Sequence, residues 1–385
     1  MNVTKKISFL VATLLVGMGL AACGSLNNSS MSSSTNNVTG EKNKKNTYQT
    51  TGSASGQYEG VIKNGKYVTS KSRGLTADQN GNINNTKSFE NGLQDVSKIT
   101  FPTSKYVFQE GQYLSMDTVQ DWLDRKSKDN PDGLNPKDNG SKDADKRNPI
   151  YLQALEEQDY MEKSGTSLKL KGVTIGLAMN SVDYYQKEQY GAQYETKISD
   201  ADIKAQSEKI AKEVLQRLRK KSEFKNIPVV IAVYKQASND SLTGGTFMRY
   251  SNSTGDKLAS WKNLDYKNVI YPIGETETSP NSNDSTAFDN FKTQVESFFP
   301  NLSGITAKAR YKGDSMEGMS VSITTQFYSE TEINSFTQFV STQAEKYLPS
   351  GVDTDITIRS TDDVQSFLSR SADEKSFSSH VFSSY

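Results

Sequence analysis

One cysteine, Cys23, and one histidine, His380, are all that a chain of 385 residues contains, and this scarcity closes several chemistries at once. A lone cysteine forms no internal disulfide and builds no thiolate-rich metal site. A lone histidine in a Ser/Phe-rich tail is a poor general base, which argues against Ser–His–acid catalysis and against a histidine metal site. GxGxxG, P-loop and HExxH patterns are missing, so no nucleotide cradle or zinc-protease helix is announced. Net charge is missing too: 45 basic residues balance 45 acidic ones. Removing residues 1–22 takes away Lys5 and Lys6 and leaves 43 against 45, without the basic field of a nucleic-acid binder. Apolar residues amount to only 34%, as expected of a chain with much polar surface or unfolded content.

What is present begins at the N-terminus. Lys5 and Lys6 precede an apolar run from Ile7 to Leu20, broken only by Ser8, Thr13, Gly17 and Gly19. That run is short for a membrane span and has the layout of a secretory signal peptide. Leu20, Ala21 and Ala22 supply small residues before a cut, and the only cysteine follows them directly. The pattern resembles the bacterial lipobox, in which the thiol receives a diacylglyceryl group before signal peptidase cleaves. Two or more acyl chains anchor a protein stably where one would be marginal. The expected product is a lipoprotein held on the extracellular face of the cell membrane through Cys23.

Residues 23–56 are Ser, Asn, Thr, Gly and Lys with few apolar side chains, and they read as a lipidated disordered tether. An N-terminal segment, 57–149, follows. It holds a hairpin signal at Asn64-Gly65, helical spacing at Val119, Trp122 and Leu123, and a polar loop from Ser127 to Asn148. Residues 150–161 look helical through Leu152, Leu155 and Tyr160. A first α/β unit is expected over 150–284: strand Val173–Met179, helix from Ser199 with the stripe Ile203, Ile210, Val214, Leu215 and Leu218, then strand Ile227–Tyr234. The second unit, 285–372, repeats this order, with strand Met319–Phe327, a helix opened by Ser329, and strand Val352–Ile358. Capping patterns at Ser199/Asp202 and Ser329/Glu332 open both helices. Ala287–Phe299 adds a helix and Ile305–Tyr311 a strand beside Met319–Phe327. The fold class is α+β or α/β, with two related strand–helix–strand units on mixed sheets, and 373–385 as a C-terminal tail.

Several blocks together resemble the CamS family. They are the lipobox, the Ser/Asn tether, the run from Gly111 to Ser115 (Gly-Gln-Tyr-Leu-Ser), the block Trp122 to Pro136, and the segment Leu155 to Tyr160. The resemblance covers about 57–372. It implies a Gram-positive lipoprotein that is a sex-pheromone precursor, whose released signal peptide is trimmed to a short apolar peptide ending before the lipidated cysteine. Plasmid-bearing cells sense that peptide and begin conjugation. The corresponding segment here is Val16, Gly17, Met18, Gly19, Leu20, Ala21 and Ala22. Gly17 and Gly19 stand where the family pattern has bulky apolar residues, which reduces the surface available to a receptor pocket.

The resemblance assigns the folded body no reaction, and the residues name no catalyst or cofactor. Asp129, Asp132, Asp138, Asp143 and Asp145 miss the EF-hand spacing and are interleaved with Lys137, Lys142 and Lys146, as in a solvated loop. Tyr184, Tyr185, Tyr190 and Tyr194 cluster in an irregular insert, packing on the sheet or facing a sugar or peptide. Arg249, near the Gly244-Gly245 turn, is expected as a solvated strand residue or an anion ligand. Two functions remain: a non-enzymatic body that binds an envelope or extracellular ligand, and a carboxylate-based hydrolase of cell-wall glycan or peptide.

Overall fold

Residues 229–235 read Val-Val-Ile-Ala-Val-Tyr-Lys, apolar on both sides of the chain, while 304–312 are apolar only at alternate positions. Such patterns belong to strands covered on two faces and on one face respectively. The computed structural model describes residues 48–52, 56–77, 82–274, 277–298, 304–326, 329–361 and 363–383, and contains one sheet of each kind. The expected leader with Val16–Ala22, the expected lipidation site Cys23 and residues 24–47 lie outside the described residues. Among the described residues no helix is long and apolar enough to cross a membrane.

A small sheet comes first, made of β1 (Gln49–Thr50), β2 (Val61–Lys63) and β3 (Lys66–Tyr67), followed by α1 (Thr86–Lys98). The β2–β3 turn is the expected Asn64-Gly65, both at positive φ (52° and 73°), as a two-residue hairpin requires. The first large unit then runs β4 (Val107–Glu110), α2 (Met116–Leu123), β5 (Leu152–Ser164), β6 (Ser167–Met179), hairpin β7 (Val182–Gln186) and β8 (Gln193–Lys197), α3 (Asp200–Arg219), β9 (Val229–Lys235), β10 (Thr246–Ser253) and β11 (Lys262–Asn263). The second runs β12 (Tyr266–Tyr271), α4 (Ser282–Phe298), β13 (Gly304–Lys312), β14 (Ser315–Thr324), α5 (Glu330–Tyr347), β15 (Asp353–Arg359), β16 (Val364–Arg370) and β17 (Ser378–Val381).

The two six-stranded sheets have the orders β11-β10-β9-β6-β5-β4 and β12-β13-β14-β15-β16-β17. Each contains one parallel pair, β6–β9 or β14–β15, connected through α3 or α5, and its other pairs are antiparallel. Strand by strand, β4, β5, β6, β9, β10 and β11 match β12 through β17. The repeat is thus wider than the strand–helix–strand core legible in the sequence. Both crossover helices are capped as expected: Ser199 Oγ accepts from Asp202 N (3.1 Å) and Ser329 Oγ from Glu332 N (3.4 Å).

Coverage separates the halves. In the first sheet, Val173, Ile175, Leu177, Val229, Ile231 and Val233 pack under α2 and α3. Ala178, Val230, Ala232 and Tyr234 pack on the opposite side under Phe89, Leu93 and Val96 of α1. The second sheet is lined on one face by Phe288, Phe291, Phe336 and Val340 of α4 and α5. Its other face carries exposed side chains such as Lys308, Ser320 and Asp355.

Several expectations need correction. Residues 152–164 form a strand, not a helix. Both faces of β5 are buried and bulges interrupt its pairing, so the period of two is lost and its polar residues imitate the wet side of a helix. Gln49 and Thr50, expected within the tether, belong to the folded part: they pair with Ile62 and Val61, and the buried Thr50 hydroxyl bonds Glu59 (2.7 Å). β12 belongs to the second sheet, so the units meet at Leu264-Asp265 and not at 284/285. The C-terminal tail supplies β17, where His380 pairs with Phe367. The tyrosine insert is the β7–β8 hairpin.

Leu218 on α3 is fully buried, whereas Lys212 projects to solvent beside Glu208. Leu218→Asp is expected to cost on the order of 4 kcal/mol or more, through lost burial and an unpaired charge. Lys212→Asp should stay within about 1 kcal/mol. Urea melts of both variants check this, and equal tolerance would show that α3 does not pack as described.

Candidate functional site

Within the described residues, the sequence blocks that carry the family resemblance act as fastenings. Glu157 Oε2 accepts from Leu114 N (2.7 Å) and Tyr113 N (3.2 Å), and Asp159 Oδ2 from Gln112 N (3.1 Å) and Gln109 Nε2 (3.2 Å). The run from Gly111 to Leu114 is therefore strapped onto β5 by two buried carboxyls. A Cβ on Gly111 would lie 2.7 Å from Glu157 O, so no larger residue fits beneath the strap. Ser115 then caps α2, its Oγ accepting from Thr118 N (3.2 Å). Burial raises the pKa of Glu157 and raises that of Asp159 well above the usual carboxylate range.

The block from Trp122 to Pro136 is closed by Asn135, which is wholly buried. Its Nδ2 donates to Leu123 O (2.7 Å) and Leu152 O (2.9 Å), and its Oδ1 accepts from Tyr151 N and Leu152 N (both 2.9 Å). All four hydrogen-bonding positions of the amide are in use. Arg147 and Asp183 form a second buried fastening at 2.6 Å, with the Arg147 guanidinium 4.1 Å over the Tyr185 ring. Tyr184 and Tyr185 thus hold the hairpin on the body, while Tyr190 and Tyr194 are exposed. Arg249 is neither solvated nor an anion ligand. It is buried, bonds Ser207 Oγ (2.8 Å) and the carbonyl of Lys204 on α3, and stacks on Trp261 at 4.1 Å.

Carboxylates converge in a crevice of ≈ 190 Å³ between α1, β4 and β5, lined by Glu90, Glu110 and Glu156 with Arg73. Arg73 lies 3.8 Å from Glu90 and 3.9 Å from Glu110. Burial, with Glu90 and Glu110 nearby, pushes the half-buried Glu156 up to about 8 from the usual 4.5. Arg73 already occupies the position between Glu90 and Glu110.

A larger opening, ≈ 560 Å³, lies where the first unit meets the bare face of the second sheet. Asn85 before α1, with Ser88, Asn91 and Asp95 on it, forms one wall and the stretch from Ser241 to Phe247 another. Tyr266, Asn268, Lys308 and Arg310 of β12 and β13 form the third. Cross-ties hold these walls apart at fixed distances. Arg310 Nη1 meets Asp95 Oδ2 at 2.9 Å, Asn268 Nδ2 donates to Gly245 O at 3.1 Å, and Ser88 Oγ meets Tyr234 OH at 2.5 Å. A neighbouring hollow of ≈ 580 Å³ shares Thr243–Thr246 and Asn268 as its wall. With amides, hydroxyls, cations and a half-buried tyrosine ring, the cleft has the lining of a polar ligand site.

Sequence reasoning singled out only Gly244-Gly245 and Arg249 near this cleft, the first as a turn and the second with the wrong surroundings. Its lining comes from four separate stretches, 85–95, 234–247, 266–268 and 308–310. The lysine and arginine at 308 and 310 alternate with buried Ala307, Ala309 and Tyr311, a signal for an exposed face but not for a neighbour across it.

Because folding raises the Glu156 pKa, its contribution to stability is full below pH 4.5 and is lost as pH rises through about 8. Glu156→Gln does not ionise. It should melt with the wild type near pH 4 and a few degrees above it at pH 9, with the gap opening between these limits. Thermal melts at stepped pH check this, and parallel pH profiles would show that Glu156 ionises freely in the folded chain.

The profile of the family described as CamS sex pheromone cAM373 precursor matches residues 67–376. A solved sex pheromone precursor from Lactobacillus salivarius subsp. salivarius UCC118 is 52% identical, with a TM-score of 0.84, over 88% of this chain and 100% of that one. The solved C-terminal domain of the sex pheromone staph-cAM373 precursor from Staphylococcus aureus is 31% identical, with a TM-score of 0.67, over 78% of this chain and 96% of that one. Comparison with curated proteins gave no match. With most of its length matched and its fold shared at 52% identity, the chain belongs to the CamS family of sex pheromone cAM373 precursors.

Proposed function

We propose that this chain is a surface lipoprotein with two outputs: a signal-peptide fragment released toward other cells, and an anchored body that binds an envelope ligand without catalysis. The leader supports the first. Lys5 and Lys6, the apolar run and the small residues before Cys23 suit secretion, lipid transfer to the thiol and cleavage by the lipoprotein signal peptidase. Further trimming leaves Val16–Ala22 as the signalling segment, in keeping with the family. Membership in a precursor family supports this half of the reading.

The observation that carries the second output is the ≈ 560 Å³ cleft. Its walls are joined by the Arg310–Asp95 and Asn268–Gly245 ties, so the opening is maintained without a ligand to prop it. Preorganised walls spare a ligand the cost of ordering them. An anchor at Cys23 followed by a polar tether brings such a cleft to the envelope, where a polar polymer is at hand.

Two measurements test the two halves. Cys23→Ala should lose labelled palmitate and move from the membrane to the medium; wild-type protein that sediments with membranes unlabelled would sink the lipid anchor. For the cleft, Asn91 is an exposed residue of its α1 wall, and Asn91→Trp should fill the opening while leaving the melt unchanged. The full chain should cosediment with purified cell wall and the variant should lose at least about tenfold in affinity. Equal sedimentation of both would place binding elsewhere.

A further inference from the structure

The charges around the cleft are unbalanced. Lys87, Lys308 and Arg310 line it against one carboxylate, Asp95. Asp95 is already engaged by Arg310 at 2.9 Å and by Lys98 at 3.1 Å. Among the described residues, Lys87 and Lys308 enter no ion pair, and both are exposed. The excess of positive charge therefore belongs to the opening and is not spent on the protein itself.

The first turn of α1 acts in the same direction. Asn85 occupies the N-cap position without capping; its amide turns away to donate to Gln236 Oε1 (3.4 Å). The uncapped start of a helix, with the positive end of its dipole, favours an anion. Lys87 sits on that turn, and Lys308 faces the opening from β13.

Charge is only part of the lining. Asn91 offers an amide, Asn268 its side-chain oxygen while its Nδ2 is tied to Gly245 O, and Tyr266 a half-buried ring at the mouth. Beyond Lys308 the open face of the second sheet continues the polar surface. Strand register places Ser320 between Lys308 and Asp355, and aligns Thr306, Ser322 and Thr357 in the adjoining row. A row of hydroxyls, with amides and an aromatic ring beside the cleft, matches the hydrogen-bonding face and flat ring of a sugar or polyol chain. A bare inorganic anion would use the lysines and leave this surface idle.

We infer that the ligand of the cleft is an anionic saccharide, a chain of sugar or polyol units bearing phosphate or carboxylate groups. Lys87, Lys308 and the first turn of α1 receive its charge, and Asn91, Asn268 and Tyr266 receive its hydroxyls and ring. This inference rests on the reading of the cleft as the body's binding site.

Isothermal titration of the full chain with poly(glycerol phosphate), polygalacturonate, dextran and inorganic polyphosphate tests it. At least one of the first two should bind, and dextran and polyphosphate should bind at least about tenfold more weakly. The anionic polymer's affinity should fall as salt rises. Lys87→Glu combined with Lys308→Glu should abolish binding, while Lys169→Glu, an exposed charge on β6, should leave it intact. Which anionic polymer binds separates phosphate from carboxylate as the source of charge. Dextran binding as tightly, or the double variant retaining its affinity, would overturn the anionic class; polyphosphate binding as tightly would overturn the saccharide. Either failure is distinct from failure of the cleft itself, which would appear as unchanged cell-wall binding by Asn91→Trp.

Discussion

The placement of α1 rests on two positions where β6 has no Cβ. A methyl group on Gly172 would stand 2.0 Å from the Phe101 ring, and one on Gly176 2.8 Å from both Phe89 and Leu93. Only glycine lets the helix and its following turn lie this close to the strand. Once seated, α1 carries Asp95 to Arg310 and Ser88 to Tyr234. The same close approach thus completes the core on the first sheet's second face and builds the wall of the cleft.

Two copies of one topology then diverge by what covers them. The first sheet is enclosed by α1 on one side and by α2 and α3 on the other, and its central strand β9 is buried from Val229 to Tyr234 on both faces. The second sheet has helices on one face, and β13 accordingly alternates. The uncovered face is the counterpart of the one that α1 occupies, and the cleft lies at its border. A body assembled from one repeated unit acquires an open cleft where the repeat is broken.

Family-specific sequence in this protein is largely devoted to holding loops. The long stretch between α2 and β5 has no regular structure, and its backbone polar groups need partners once buried. Asn135 supplies four hydrogen bonds there, Arg125 reaches the carbonyls of Pro136 and Asn148 at 2.9 Å each, and Asp183 accepts from Ile150 N at 2.9 Å. Glu157 and Asp159 do the same for the strap from Gly111. A distinctive block of polar residues can therefore mark a structural fastening as readily as a site of chemistry.

Much of the scaffold was legible in the amino-acid sequence because its causes are local. The Asn64-Gly65 turn, the capped starts at Ser199 and Ser329, the stripe Ile203–Leu218 and the alternation of β13 and β14 depend on neighbouring residues and on one period each. The lipobox-like pattern at Cys23 is likewise contiguous. Strand β5 escaped because partners distant in the chain satisfy its buried carboxyls, giving it the polar spacing of a helix. Edge strands β1 and β17 escaped because two to four residues, nearly all polar, have no periodicity to read. Arg249 was misplaced for a related reason: only the packing of α3 and Trp261 buries it. The cleft was beyond reach of sequence altogether, since Asp95 and Arg310 meet across 215 positions of chain. Local chemistry determined the elements and the lipobox-like pattern at Cys23, and the packing of α1 against two sheets decided which exposed polar residues would face one another.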